Sequence, residues 1–219
     1  MDMTQENSVV FDMDGVLFDT ERLCLESWVA VSNAQGIQDM AEFFPSCIGR
    51  NDTDTKALVL EHYGADFPYE AFCREASAHF HQSVEQNGLP VKKGVLEILD
   101  FLKQENWNVG LASSTSYPSV TAHLKRAGLR DFFSVIVTGD MVEHSKPQPD
   151  IYLMACDRLD RQPGQCYAIE DSPNGIRAAF LAGMKPIMVP DLVMPDAEMQ
   201  EICHKIFLNL EEVRDYFAS

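Results

Sequence analysis

The sequence predicts an α/β protein in which an open, mainly parallel sheet carries a helical domain inserted after its first strand. Short β-branched runs alternate with segments of helical periodicity along most of the chain. Residues 20–88 are the exception, because they contain no convincing strand. Several runs end in polar side chains, and the carboxyl ends of the strands form the ligand-binding crevice of an open parallel sheet.

Six runs are predicted strands of this sheet. They lie at residues 8–12, 108–112, 134–138, 165–169, 185–189 and 205–207, and the last of them is weak. The first run ends at Asp12, the second continues into residues 113–115, and the fourth continues into Glu170 and Asp171. Function-capable side chains therefore collect at one edge of the predicted sheet.

The stretch without strands is predicted to fold as amphipathic helices. Apolar residues recur at three- and four-residue intervals over residues 21–35, 53–62 and 69–85. Glycine and proline residues separate these segments. We therefore expect two domains, a sheet domain of residues 1–18 and 90–219 and a helical domain of residues 19–89.

Composition limits the class of protein. The chain has 219 residues, of which 46% are hydrophobic and 23% charged, as in a globular protein that buries a sizeable core. Its formal net charge of −17 repels nucleic acids and anionic membranes, so neither is expected as a partner. A monomer is the default expectation.

The cysteines and the N-terminal segment indicate the compartment. The six cysteines form no C-x-x-C pair and no zinc spacing, which is typical of reduced thiols in a cytosolic protein. Residues 1–7 are acidic where a secretory signal would be basic. No apolar run approaches the roughly 20 residues that span a bilayer. The expected localisation is cytoplasmic.

Four acidic side chains are expected to face one crevice. Asp12 and Asp14 lie two residues apart at the end of the first strand, so both point to the same side. Glu170 and Asp171 follow a strand that should lie nearby. Clustered carboxylates repel one another unless a cation or a shared proton intervenes, and a set of hard oxygen ligands suits Mg²⁺. Lys146 is the candidate for a balancing positive charge.

These motifs resemble those of the haloacid dehalogenase (HAD) superfamily of aspartate-nucleophile phosphotransferases. The matching segments, in the order of the four family motifs, are Asp12-x-Asp14-Gly15, Ser113, Lys146-Pro147-x-Pro149-Asp150 and Glu170-Asp171-Ser172-x-x-Gly175. The resemblance covers residues 9 to about 190 and implies a Rossmann-like α/β core. The helical insertion is similar to the cap of the subgroup that holds β-phosphoglucomutase and small sugar-phosphate phosphatases.

The resemblance implies a role for each acidic residue. Asp12 would attack phosphorus and form an aspartyl-phosphate. Asp14 would protonate the leaving oxygen and then deprotonate the attacking water. Asp12, the backbone carbonyl of Asp14, Glu170 and Asp171 would hold Mg²⁺, which neutralises phosphoryl charge.

The resemblance also implies donors for the phosphoryl group and the substrate. Ser113 and Lys146 would donate to the transferring phosphoryl oxygens. Other polar residues are candidates because they lie beside a motif, at the start of the cap or at a helix N-terminus. These candidate substrate contacts are Ser114, Thr115, Thr20, Glu21, Arg50 and Asn174.

Three positions favour hydrolysis over a phosphosugar mutase reaction. The β-phosphoglucomutases bind a second phosphate with basic side chains. In this sequence, Cys24 stands at the position of their cap histidine, Ser116 at that of a lysine and Asp52 at that of an arginine. Residues 20–88 contain 4 basic and 11 acidic residues. We therefore expect a phosphatase for a small phosphorylated metabolite, with a mutase as the alternative, in which Arg50 would take the role of the arginine.

A non-catalytic module is the hypothesis from a different class. Bacterial receiver domains also place a phosphorylatable aspartate, an acidic metal site and a lysine at the strand ends of a parallel sheet. The long helical insertion opposes this interpretation. The complete set of four motifs also opposes a partner-binding member of the superfamily that has lost its activity.

Overall fold

The computed structural model describes residues 7–48 and 52–219. Within these residues, six parallel strands form one sheet in the order β3-β2-β1-β4-β5-β6. The strands are β1 Ser8–Phe11, β2 Asn108–Ser113, β3 Val135–Thr138, β4 Cys166–Glu170, β5 Lys185–Met188 and β6 Lys205–Ile206. The predicted α/β fold with a parallel sheet is confirmed.

The strand order reverses direction beside β1. The chain adds β2 and then β3 on one side of β1, and it returns to place β4, β5 and β6 on the other side. Val10 of β1 is therefore flanked by Gly110 of β2 and Ala168 of β4. Such a reversal leaves a crevice at the carboxyl ends of the central strands, and the motif residues follow these ends.

Helices fill the connections between the strands. In the described residues the α-helices are α1 Thr20–Gln35, α2 Met40–Phe43, α3 Asp52–Tyr63, α4 Tyr69–Asn87, α5 Val95–Gln104, α6 Tyr117–Arg126, α7 Asp150–Arg158, α8 Pro173–Leu181, α9 Ala197–Ile202 and α10 Leu210–Phe217. None of the helices in this part of the chain has the length and apolar character needed to cross a membrane.

The sheet buries a hydrophobic core on each face. Val9 and Phe11 of β1 belong to one cluster, together with apolar side chains of α5, α6 and α10. Val10, between them, belongs to a second cluster with side chains of α7 and α8. Successive side chains of a strand point to opposite faces, so β1 must be apolar throughout when helices cover both faces.

The insertion has a hydrophobic cluster of its own. Helices α1 to α4 pack around the Trp28 indole, whose ring centroid lies 5.3 Å from that of Phe44 and 5.2 Å from that of Phe72, both edge-on. Helices α1, α3 and α4 cover the three predicted segments. Helix α2 and the 3₁₀ turn Phe44–Cys47 were not predicted, since four-residue segments show too little periodicity to be recognised.

The two chain segments that join the insertion to the sheet run side by side. Phe18 and Val91 form an isolated antiparallel bridge. The backbone N–H of Asp19 donates to the carbonyl of Pro90 at 3.0 Å, and that of Lys92 donates to the carbonyl of Leu17 at 2.9 Å. The division into domains near residues 18–19 and 89–90 stays a prediction. It places both boundaries at this pair of neighbouring segments.

Replacing Phe72 by alanine should destabilise the insertion selectively. The Phe72 side chain is fully buried in the insertion's own cluster, and truncating such a phenylalanine costs about 3–5 kcal/mol of stability. Limited proteolysis of the variant should therefore cleave first within residues 19–89 and leave the sheet domain intact. Leu102→Ala, in the sheet domain's core, is the matched control. Equal early cleavage of both regions in Phe72→Ala would contradict the proposed boundaries.

Candidate active site

A cavity of about 430 Å³ lies between the sheet and the insertion. Its floor is formed at the carboxyl ends of β1, β2 and β4, and its roof by α1 and α4. The floor contains Asp12, Asp14, Lys146 and Asp171. The topology therefore brings three of the four predicted motifs into one cavity, and it buries Ser113 of the remaining motif directly beneath the floor.

Lys146 is the positive centre of the floor. Its Nζ donates to Asp12 Oδ1 at 2.6 Å, to Glu170 Oε1 at 2.6 Å and to the Ala112 carbonyl at 3.1 Å. The side chain is only 4% exposed. Burial opposes the charge of this ammonium group, but Asp12 and Glu170 outweigh burial and raise the pKa of Lys146 above its ordinary value. All three of its donors are engaged.

Glu170 is held by donors on both carboxylate oxygens. Oε1 accepts from Lys146 and, at 2.6 Å, from the Tyr152 hydroxyl. Oε2 accepts from the Asp171 N–H and from Ser172 Oγ, each at 3.3 Å. The carboxylate packs so closely on Gly175 that a Cβ there would lie 2.0 Å from Glu170 Cδ. Glycine at position 175 is therefore required by this close approach.

Asp171 is a buried acid whose side chain receives no hydrogen bond from any residue that the structure describes. The residue is 4% exposed. Burial raises its pKa well above the ordinary value, and the charges of Glu170 and Asp12 raise it further. A Cβ at Gly15, where φ is +77°, would lie 2.1 Å from Asp171 Oδ2. Gly15 is thus needed for both its backbone conformation and its closeness to this acid.

The buried acids have the chemistry of a divalent-cation site. Asp12, Glu170 and Asp171 each offer an oxygen, and these oxygens lie within 4.8 Å of one another. Burial, followed by the charges of Glu170 and Asp14, raises the pKa of Asp12 to about 8, although Lys146 opposes this shift. One ammonium group does not neutralise three carboxylates. A hard divalent cation held by oxygen ligands would supply the missing positive charge, so these residues fit the predicted metal.

Three hydroxyl groups orient the carboxylate of Asp14. Thr20 Oγ1, at the start of α1, donates to Asp14 Oδ1 at 2.8 Å. On the other side, Thr115 Oγ1 donates to Oδ2 at 2.9 Å and Ser113 Oγ donates to Oδ2 at 3.3 Å. Ser113 in turn accepts from the Thr115 N–H at 3.1 Å. Asp14 is thus fixed jointly by the end of β2 and by the insertion.

The N-terminus of α8 borders the acidic floor. Ser172 caps the helix, since its Oγ accepts from the Gly175 N–H at 3.1 Å, and Pro173 occupies the first helical position. A serine cap followed by proline at the first helical position is a favoured start for a helix. The partial positive charge of a helix N-terminus favours anions nearby, so it favours the buried carboxylates and an incoming phosphate.

The predicted substrate contacts lie at different places in the fold. Four of them line the cavity, namely Thr20, Glu21, Ser114 and Thr115. Asn174 does not line it, and its side-chain oxygen accepts from Arg177 Nη1 at 3.1 Å. Arg50 lies outside the described residues. Their roles in substrate binding stay predictions.

Glu21 brings a further acid to the roof of the cavity. Burial raises its pKa to about 8, and the charges of Asp14 and Asp12 add to this shift. Near neutral pH and without a cation, Glu21 is therefore mostly protonated and able to donate a hydrogen bond as well as accept one.

The roof also contains residues that motif reasoning missed. Trp28, Phe80 and His81 come from the insertion, and His123 comes from α6 of the sheet domain. Burial lowers the pKa of His123, which favours its neutral form. Helical spacing indicates which of these residues share a helix face, but not that the face lines the cavity. Residues 73, 76, 77 and 80 lie on one face of α4, and residues 24 and 28 are one turn apart on α1.

Cys24 occupies the roof as a neutral thiol. Burial raises its pKa to about 12, and the neighbouring acids Glu21 and Asp14 contribute. A thiolate is the reactive form of cysteine, so this side chain is inert near neutral pH. That Cys24 occupies the place of the mutase cap histidine stays a prediction.

Comparisons with known proteins show which family the chain belongs to. The family model for haloacid dehalogenase-like hydrolases matches residues 9–189. The chain is a member of this family, close to the β-phosphoglucomutase, CbbY and sugar-phosphate phosphatase proteins with a helical cap. The predicted superfamily and the predicted enzyme class are thereby confirmed.

Individual relatives match over nearly their whole length. The chain is 32% identical to the phosphorylated carbohydrates phosphatase of Thermotoga maritima, over 82% of this chain and 83% of the relative. It is 31% identical to the fructose-1-phosphate phosphatase YqaB of Escherichia coli, over 83% of this chain and 95% of the relative. The crystal structure of CbbY from Rhodobacter sphaeroides in complex with phosphate superposes with a TM-score of 0.78 at 28% identity, covering 95% of this chain and 96% of that chain.

Asp171→Asn should stabilise the metal-free protein, and the gain should grow as the pH rises from about 5 to 8. The raised folded-state pKa of Asp171 means that the folded protein retains a proton that the unfolded chain releases, so stability is lost as the pH rises towards the folded pKa. Asparagine removes this loss, which we expect to reach about 1–2 kcal/mol.

Urea unfolding in EDTA at several pH values checks this prediction. Asp157→Asn, an exposed carboxylate on α7, is the matched control and should show no pH-dependent gain. A destabilised Asp171→Asn protein at pH 8 would show that this carboxylate is not an uncompensated charge.

Proposed function

We propose that the protein is a Mg²⁺-dependent phosphatase that hydrolyses a small phosphate monoester, a sugar phosphate, through an aspartyl-phosphate intermediate. One observation carries the proposal. The cavity brings a buried nucleophile candidate, Asp12, together with Lys146, the buried acid Asp171 and a further aspartate, Asp14, which is held by hydroxyl groups. The two phosphatase relatives support a phosphorylated sugar as the substrate class.

Asp12 is suited to the nucleophilic step. Lys146 binds one of its oxygens, Oδ1, at 2.6 Å, and among the described residues no donor engages the other oxygen. The backbone N–H of Asp12 donates to the Ile169 carbonyl at 2.9 Å, which fixes the residue at the end of β1. A carboxylate held in this way can attack phosphorus in line and form the acyl phosphate.

Asp14 is suited to acid–base catalysis. It lies beside the nucleophile, and three hydroxyl donors hold its carboxylate in one orientation. It would first protonate the leaving oxygen of the ester and then take a proton from the water that attacks the aspartyl-phosphate. Because Thr20 belongs to the insertion, one of these three donors reaches Asp14 from the insertion, and the other two reach it from the sheet domain.

Asp12, Glu170 and Asp171 would hold the magnesium ion, together with the backbone carbonyl of Asp14. When bound, the ion neutralises charge on the phosphoryl oxygens and on the acids. Lys146 would donate to a phosphoryl oxygen. Ser113, the other predicted donor to the phosphoryl group, directs its single hydroxyl proton to Asp14 in this structure, so it would have to turn from Asp14 to donate to a phosphoryl oxygen.

The roof of the cavity favours a monoester without a second phosphate. Among the described residues that line the cavity, Lys146 is the only lysine or arginine. Three positions carry no basic side chain where a mutase is expected to bind a second phosphate. Cys24 has a neutral thiol, and Ser116 is an exposed helix cap that does not line the cavity. Asp52 accepts a hydrogen bond from the Tyr69 hydroxyl. Trp28 and Phe80 instead present apolar surface, against which the C–H face of a sugar can pack.

Asp12→Asn should abolish phosphatase turnover. The change removes the attacking carboxylate and one charged oxygen of the metal site, so we expect a loss of at least about 10³-fold. Release of inorganic phosphate from p-nitrophenyl phosphate and from a panel of sugar phosphates, with Mg²⁺ in excess, measures the effect. Asp157→Asn is the matched control. A variant that keeps more than a few per cent of the wild-type rate would refute the nucleophile assignment.

Hydrolysis should outpace isomerisation for every good sugar-phosphate substrate. Apart from Lys146, which would bind the transferring phosphoryl group, the described residues of the cavity lining include no lysine or arginine to retain a bisphosphate for a second transfer, so water becomes the acceptor. Released phosphate should equal consumed ester, and added sugar bisphosphate should not activate the enzyme. Conversion of β-glucose 1-phosphate to glucose 6-phosphate faster than phosphate release would establish the mutase alternative. Absence of turnover in the whole panel would favour the non-catalytic module.

A further inference from the structure

Tyr152 lies directly beneath the catalytic lysine, and none of the family motifs includes it. The residue is on α7 and is fully buried. Its hydroxyl donates to Glu170 Oε1 at 2.6 Å, and the Lys146 ammonium lies 5.1 Å from the centroid of its ring. One side chain therefore contacts both members of the Lys146–Glu170 ion pair.

Lys146 must give up a partner before it can bind a phosphoryl group. Its three N–H donors go to Asp12, Glu170 and the Ala112 carbonyl. Asp12 has to stay close for its own reaction, and the backbone carbonyl is fixed in β2. Glu170 is therefore the partner that the lysine can release.

Release of Lys146 would leave Glu170 Oε1 unpaired unless another donor remained. The Glu170 side chain is 1% exposed, so water does not replace a lost donor easily, and leaving a buried charged acceptor unsatisfied is strongly unfavourable. Tyr152 is the other donor to this oxygen among the described residues. Its hydroxyl keeps Oε1 satisfied when the lysine turns away.

We propose that Tyr152 is a positioning residue that allows Lys146 to exchange Glu170 for a phosphoryl oxygen. The inference rests on the proposed phosphatase function, since it assigns Lys146 to the phosphoryl group. Phenylalanine would fill the same space in the core, but it would leave Lys146 as the one strong donor to Oε1. The lysine would then stay bound to Glu170.

The test replaces Tyr152 by phenylalanine. We expect kcat to fall about tenfold, because the contact between Lys146 and the phosphoryl oxygens strengthens as charge spreads over them in the transition state. The dissociation constant of inorganic phosphate with Mg²⁺, measured by calorimetry, should rise about tenfold, as expected for one lost charge-assisted contact. This binding measurement does not depend on turnover.

Tyr69→Phe is the matched control. Tyr69 is also buried and also donates to a carboxylate, that of Asp52 at 2.9 Å, but it lies outside the cavity. Both variants should lose a similar few degrees of unfolding temperature. Only Tyr152→Phe should change kcat and phosphate affinity.

A second variant separates positioning from packing. If Tyr152 acts through the carboxylate of Glu170, Tyr152→Phe should change kcat and phosphate affinity by less than about twofold in a Glu170→Gln background. The proposal is overturned if Tyr152→Phe has the kcat of the wild-type protein, or if Tyr69→Phe lowers kcat as much as Tyr152→Phe does. It is also overturned if Tyr152→Phe lowers kcat as strongly in the Glu170→Gln background as in the wild-type background. Failure of the proposed function would show differently, as a wild-type protein without phosphatase turnover.

Discussion

The Lys146 ammonium group, held 2.6 Å from both Asp12 and Glu170, is the interaction on which the rest of the site depends. All three side chains are less than one-tenth exposed. Burying a charge is expensive unless it is paired and hydrogen-bonded. The carboxylate of Asp171 lies in the same cluster, and no cationic side chain among the described residues forms an ion pair with it. The site therefore carries more negative than positive charge, and the raised pKa values of Asp12 and Asp171 follow first from burial and then from the neighbouring carboxylates.

The fold brings these charged side chains together at one edge of the sheet. The reversal of strand order places β1 between β2 and β4, so the motif residues that follow these three strands meet at one edge. Lys146 reaches the same edge from the loop before α7. Two glycines, Gly15 and Gly175, let the backbone approach Asp171 and Glu170 where any Cβ would collide. A cation-binding site of buried acids thus depends on residues that contribute no ligand.

Much of this could be predicted from the sequence, because the determinants are local. The buried strands are continuous apolar runs, and Asp12, Asp14, Glu170 and Asp171 follow strand ends in a fixed order. The roof could not be predicted in the same way. Trp28, Phe80 and His123 enter the cavity because of how α1, α4 and α6 pack, and packing between helices leaves no fixed spacing in the sequence. Tyr152 was missed for a similar reason, since a buried tyrosine is ordinary until its hydroxyl is seen to contact Glu170.

The most direct test of the central claim is the unfolding temperature measured as a function of Mg²⁺ concentration, with NaCl at matched ionic strength as the reference. A folded protein with uncompensated buried carboxylates should be stabilised by an ion that binds it and not the unfolded chain. We predict a rise of several degrees that saturates with Mg²⁺ in the wild-type protein and is absent in Asp171→Asn. A wild-type unfolding temperature that does not respond to Mg²⁺ would contradict the claim that these acids form a divalent-cation site.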